Sequence, residues 1–311
     1  LLPEKQQERG FGNAMAKTTK KKNKISVFDV VNLIAMILVG LIMLMPILNL
    51  AAKAFSSEGN VIAGKVLFWP LGLQTGTIKY VLTTPEFGTS FLVTVTVTIT
   101  GTIGAMLLTV MAAYPLSKPH LIGRKFFLYI FVFIMLFSAG MVPNYILFRT
   151  LHLTNTIFAL IFSGMFSSFN LFLIKNYFET LPEVIEEAAR IDGASNMRIF
   201  FSVVLPMSTP VLATVTLYYA VAYWSNYFAG VMYITDANLK PLQQYMFDLV
   251  TQATSLQDSS GNFGDVNQAM NVSGENIRAA TIVVSTIPIL CVYPFLQKYF
   301  VKGITIGSVK G

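Results

Sequence analysis

The sequence predicts an all-α membrane protein: six transmembrane helices with a polar helix-and-turn between the fourth and fifth. Hydrophobic residues make up 54% of the 311 and charged residues only 12%, and the mean hydropathy is +0.62. A soluble domain carries about a quarter charged residues, so that class is excluded. Six segments, 29–52, 88–115, 126–148, 155–177, 208–235 and 277–301, are nearly free of charge. Each has the roughly 20-residue length that a helix needs to cross the hydrocarbon core. The layout is a tail over 1–28, a membrane domain over 29–302, and a second tail over 303–311.

The first span is too long in its apolar core for a cleaved signal peptide, although Ala52-Lys53-Ala54 faintly resembles a cleavage site. Residues 1–14 have an unrelated polar composition, so Met15 is a candidate start, or the leader is foreign to the protein. The connection 53–87, with Trp69, Gly and Pro, is expected to be partly folded against the membrane surface.

The second span contains Thr94-Val95-Thr96-Val97-Thr98-Ile99-Thr100, a period-two run of β-branched residues that locally favours a strand. An open strand in lipid leaves backbone groups unpaired at several kcal/mol each. The other spans lack the alternation a barrel requires. Helical Thr hydroxyls can bond back to carbonyls one turn earlier, so a helix is predicted. The third and fourth spans are plain apolar runs; Ser167, Ser168 and Asn170 in the fourth are weaker pathway candidates, with packing favoured.

Residues 179–210 form the polar interruption. Pro182 and Glu183 start a helix, because Pro fits the first turn and acids favour a helix N-terminus. Glu183, Glu186 and Glu187 are expected to face water, while Val184, Ile185, Ala188, Ala189 and Ile191 supply apolar contacts. Asp192-Gly193 ends the helix, since Gly takes the left-handed C-cap conformation. A second short helix from about Ser195 carries Phe200, Phe201, Val203 and Val204. Two readings stand: a knob for a groove on another protein, or an amphipathic helix lying on the bilayer. The acidic cluster favours docking, because interfacial helices prefer Lys and Arg.

In the fifth span Tyr219, Tyr223, Asn226 and Tyr227 recur at helical spacing with Trp224 beside them. Aromatic faces suit the C–H faces of sugar rings and Asn suits hydroxyls. Interfacial anchoring and helix–helix clasping are equally open readings. The loop 236–276, rich in Gln, Asn, Asp and Ser, either contacts a partner or closes over a pathway. The sixth span holds Cys291, the only cysteine, which rules out an internal disulfide and is expected to pack within the span.

The net charge of +7 is distributed as in a membrane protein, not as in a nucleic-acid binder. Sixteen Lys and Arg fall on the side of the termini and the polar segment, among them Lys17, Lys20, Lys21, Lys22, Lys24, Lys118 and Arg124. Six fall on the other side: Lys53, Lys65, Lys79, Arg149, Lys240 and Arg278. The positive-inside rule therefore predicts cytoplasmic termini. His120 and His152 lie on opposite sides and share no metal.

Glu187-Ala188-Ala189, Asp192-Gly193-Ala194 and Leu205-Pro206 resemble the E-A-A…G…L-P loop of permease subunits in ATP-binding-cassette importers. Ser138-Ala139-Gly140-Met141-Val142-Pro143, the stretch Tyr219–Tyr227 and Tyr293–Phe300 resemble the maltose-type carbohydrate permeases, in the complex-oligosaccharide branch of Gram-positive bacteria. The likeness covers 25–311, with Val203 where the family often has Ile. It implies a type I importer fold in a bacterial cell membrane. Its implied partners are a second homologous permease, two ATP-binding subunits and a lipid-anchored external sugar-binding protein. Glu187 to Ala189, Asp192 to Ala194, Leu205 and Pro206 would form the coupling helix and its return. No G-x-x-x-x-G-K-[ST] loop is present, so no cofactor is expected on this chain, and ATP and Mg are assigned to the partner ATPase. Rival readings are a permease for a non-sugar solute, a stand-alone channel or carrier, and a membrane enzyme. The last would need titratable groups at depth, whereas Asp29 and Arg278 lie near span ends.

Overall fold

The computed structural model describes residues 27–258 and 274–307, and every regular element among them is helical. The expected N-terminal lysine cluster and residues 259–273 of the second long loop lie outside the described residues. The chain divides into two compact units, Leu1–Ile47 and Leu48–Gly311.

The first unit contributes most of α1 (Val27–Ala54). The most apolar stretch of that helix has a mean hydropathy of 2.7 and none of it is buried within the chain. A helix apolar on all faces is stable only in an apolar surround.

The second unit holds the core. After the last turns of α1 come α2 (Glu58–Ile62), α3 (Gly76–Thr83) and α4 (Pro85–Ser117). Residues 53–87 are indeed folded. The Asn49 side chain donates to the carbonyls of Val66 and Leu67, and Asn276 donates to Ser56 O at 2.8 Å.

The threonine-rich run is helical, as expected, and α4 is unbroken over 33 residues. Thr100 donates to Thr96 O at 2.7 Å, the predicted back-bond. Thr94 instead accepts the Leu242 N–H at 2.7 Å, so the hydroxyls also fasten neighbouring segments.

The third, fourth and fifth apolar runs are not continuous helices, which corrects the expectation. The third splits into α5 (Arg124–Leu136) and α6 (Met141–Thr150), bent by 112°. The fourth splits into α7 (Ile157–Phe162) and α8 (Ser168–Glu179). The polar segment supplies α9 (Glu183–Ile191) and α10 (Asn196–Ile199), then a wide π turn (Phe200–Val204) and α11 (Leu205–Met207). The fifth run splits into α12 (Thr209–Trp224) and α13 (Tyr227–Tyr233). Hydropathy windows overlook such breaks because single capping residues cause them. Gly140 has φ +84°, Ser167 caps α8, and Asn226 accepts the Ala229 N–H at 3.1 Å. The second long loop contains α14 (Leu242–Asp258), and α15 (Gly274–Gly307) closes the chain. Cys291 is exposed on α15, not packed as expected.

Among the described residues, α1 and α4 are long and apolar enough to cross a membrane, and the bent pairs raise that to four. α4 is the centre of the main core. Val97, Ala105, Ala113 and Leu116 pack with Leu160, Leu171, Ile174, Phe178, Val215, Tyr219 and Tyr223. A smaller cluster joins Ala54, Val81, Leu242, Met246, Ala279 and Ala280.

Gly101 lets α12 approach: a Cβ there would stand 2.5 Å from Tyr223 Cζ. Gly101→Ala is therefore expected to destabilise the permease fold by about 1–3 kcal/mol through overpacking. A lowered midpoint in a detergent thermal melt checks it, and an unchanged midpoint would refute this packing.

Candidate functional site

Two places carry polar side chains in unusual settings: the segment from α9 to α11, and a cleft beside the break between α12 and α13.

Pro182 is extended ahead of α9 (ψ 120°), which suits a residue that cannot donate a backbone hydrogen bond. The helix ends in a Schellman turn: Gly193 N–H donates to Arg190 O and Ala194 N–H to Ala189 O, both at 3.0 Å. Gly193 has φ +78°, and nothing lies within 4 Å of where a Cβ would stand, so its requirement is conformational and not spatial. Ser195 then caps α10 by accepting the Arg198 N–H at 3.4 Å. Pro206 lacks the N–H that an α-helix would use at that point, and the π turn directly before Leu205-Pro206 widens the backbone there.

The orientation of α9 reverses part of the sequence expectation. Glu186 does not face water. It is the sole buried residue of the helix, and both its carboxylate oxygens lie 2.5–2.6 Å from Lys118 Nζ. Lys118 follows the last turn of α4, and its ammonium sits 4.9 Å from the Tyr114 ring centroid. Val184, Ile185, Ala188 and Ile191 are exposed, with Ile191 at 87%, as are Glu187, Asp192 and Gly193. Ala189, Ala194 and Leu205 are half-buried against the core, and Pro206 is exposed. The apolar stripe thus points away from this chain. The sequence does hold a signal for the inversion, the basic Lys118 just past a span end. Its pairing with Glu186 is 68 residues distant and not readable from spacing.

The fifth-span residues are divided by the structure. Tyr219 and Tyr223 lie on one face, as their spacing predicts, but that face is packed. The Tyr219 hydroxyl is 2.7 Å from Thr109 Oγ1 and accepts the Ser167 N–H at 3.2 Å. The Tyr223 hydroxyl donates to Ile161 O at 2.7 Å. Trp224 packs edge-on against Phe91, Tyr227 against Phe247, and Asn170 is buried in α8. Asn226 lines a cleft of about 290 Å³, with Ser138, Asn144, Ser163 and Tyr233 among its other walls, and none of the other five residues is in its lining. Its amide nitrogen lies 3.4 Å from Ser163 Oγ. Asn144 and Ser163 were missed because they lie in runs other than that of Asn226, and the folded chain brings all three to one cleft.

Residues 25–306 match the model of the binding-protein-dependent transport system inner membrane component family. The chain belongs to this family. Its members are permease subunits of importers and are not themselves catalysts. Protein LplC of Bacillus subtilis is 41% identical over 92% of this permease and 95% of its own length. The polygalacturonan/rhamnogalacturonan transport system permease protein YtcP of the same organism is 37% identical, over 93% and 100%. A solved bacterial ABC transporter involved in import of the acidic polysaccharide alginate contains a chain that superposes with a TM-score of 0.81. That chain is 32% identical, over 89% of this permease and 98% of its own length. A further chain, from an alginate transporter in complex with an alginate pentasaccharide-bound periplasmic protein, is only 15% identical at a TM-score of 0.50 and shares the fold alone. The permease therefore has the helical type I ABC importer fold.

The packed tyrosine face yields a test. Tyr219→Phe strips the Ser167 N–H and the Thr109 hydroxyl of a buried partner. It is expected to cost about 1–3 kcal/mol of stability, read as a lowered thermal midpoint of the purified permease.

Proposed function

We propose that this permease carries a carbohydrate, an oligosaccharide or polysaccharide fragment, into the cell by alternating access driven by separate ATP-hydrolysing subunits. The observation that carries the coupling half of this reading is α9, which turns its one buried acid inward and its apolar stripe outward. A short helix in water normally does the reverse. Val184, Ala188 and Ile191 on one stripe, stopped by a Gly193 turn, make a compact knob for an apolar groove on an ATPase subunit. ATP and Mg would be bound there and not on this chain. The bias of Lys and Arg supports a cytoplasmic position for α9 and both termini. Six spans are read as α1, α4, α5 with α6, α7 with α8, α12 with α13, and α15. A second permease would complete the pathway, and an external lipid-anchored binding protein would deliver the sugar.

The cargo half rests on the cleft and on the company the chain keeps. Relatives and a solved neighbour are named for saccharide transport. The lining residues Ser138, Asn144, Ser163, Asn226 and Tyr233 offer hydroxyls, amides and a ring, with no Lys or Arg among them. Such a wall suits hydroxyl-bearing neutral rings better than carboxylates. In this reading Asn226 is the pathway residue, and Tyr219, Tyr223 and Asn170 hold the wall in place.

Two experiments separate the halves. Gly193→Val forces a β-branched residue into the left-handed region, at about 1–2 kcal/mol, and should strip the ATPase subunit during purification; full retention would sink the docking assignment. Asn144→Ala with Asn226→Ser keeps a capping oxygen for α13 while removing both amides. Each lost bond is worth about 1 kcal/mol, so the two together should lower uptake at limiting neutral oligosaccharide roughly thirtyfold with assembly intact. Unchanged uptake would remove the cleft from the pathway.

A further inference from the structure

The joint between α9 and the rest of the chain has an unusual construction. Glu186 is the only buried residue of the helix, and its partner Lys118 stands at the end of α4. Side-chain exposures of 16% for Lys118 and 10% for Glu186 show a pair largely withdrawn from water. The pair is bidentate, at 2.5 and 2.6 Å, and Lys118 is seated over Tyr114. Tyr114 in turn packs on Phe178 at the end of α8 and on Phe200 in the π turn, with ring centroids 6.2 and 4.7 Å away. A neighbouring clamp secures the same corner: Arg124 donates to Leu116 O, pairs with Glu179, and Glu179 also holds Lys175 at 2.8 Å. The ends of α4, α5 and α8 are thus tied together, and Glu186 attaches α9 to them through Lys118, with Tyr114 facing the same carboxylate.

An apolar contact resists separation but permits sliding. A short, largely buried ion pair resists both separation and sliding, because moving either charge leaves the other buried without a partner. Beyond this joint, α4 packs on α7, α8 and α12, the helices whose breaks carry Ser163 and Asn226.

We propose that the Lys118–Glu186 pair is the positioning joint that transmits displacement of α9 to α4, and through α4 to the walls of the cleft. This rests on the reading of α9 as the ATPase-docking helix. Neither Lys118 nor Glu186 belongs to the exposed docking stripe, so the joint and the docking surface are separable by mutation.

The test uses the whole importer, with its partner permease, ATPase subunits and binding protein, reconstituted in liposomes. Lys118→Met and Glu186→Gln are each expected to retain the ATPase subunit and basal ATP hydrolysis. Sugar moved per ATP hydrolysed should fall about tenfold, within the usual range of coupling between sites. Lys118→Glu combined with Glu186→Lys should restore the ratio. Should single variants assemble poorly, Lys118→Cys with Glu186→Cys in a Cys291→Ser background can be bridged by a reducible bifunctional thiol reagent. The bridged sample should be coupled and the same sample after reduction should not. Uptake and hydrolysis falling in proportion, a charge swap without recovery, or bridged and reduced samples behaving alike would each overturn the joint. Failure of the ATPase subunit to co-purify with the unaltered chain would instead overturn the underlying docking assignment, and the joint with it.

Discussion

A helix that breaks inside an apolar surround leaves N–H and C=O groups without partners, each at a cost of several kcal/mol. This chain breaks three of its apolar runs, and much of its remaining architecture answers that constraint. The N–H of Ser167, at the start of α8, is taken by the Tyr219 hydroxyl, and the carbonyl of Ile161, at the end of α7, by the Tyr223 hydroxyl. Asn226 caps α13 from the break itself. Thr94 of α4 accepts the Leu242 N–H, which begins α14. Side chains that look like sugar contacts from their chemistry are thus committed to backbone at the helix breaks.

The same constraint explains why α4 must be continuous. It runs unbroken over 33 residues through the main core, so the broken runs can be fastened to it. Small residues give that fastening its closeness. Gly101 receives the Tyr223 ring, and Ala105 and Ala113 are fully buried. Without a strong hydrophobic drive between helices in lipid, such close packing and interhelical hydrogen bonds hold a bundle together.

The sequence made the helical class, the threonine-run helix, the Gly193 turn and the face shared by Tyr219 and Tyr223 legible, because each is local: span length, back-bonding, C-cap chemistry and 3.6-residue spacing. It could not reveal which way a face points. Glu186 looked like a solvated acid because α9 is amphipathic by pattern, and pattern says nothing about which stripe meets the parent chain. The cleft was hidden for a related reason. Ser138, Asn144, Ser163 and Asn226 come from three separate apolar runs, and hydropathy averages over the single Gly, Ser and Asn residues that break them.

Inversion of α9 also follows from the chemistry of its neighbours. The corner where α4, α5 and α8 end is rich in cations, with Lys118, Arg124 and Lys175 all withdrawn at least partly from water. Buried cations need anions, and Glu179 already serves two of them. Lys118 then requires an acid of its own, and Glu186 in the first turn of α9 is the one that reaches it. Once that acid is fixed inward, helical periodicity leaves the stripe of Val184, Ala188 and Ile191 no choice but to face out. The ion pair and the exposed apolar stripe thus occupy opposite sides of one short helix.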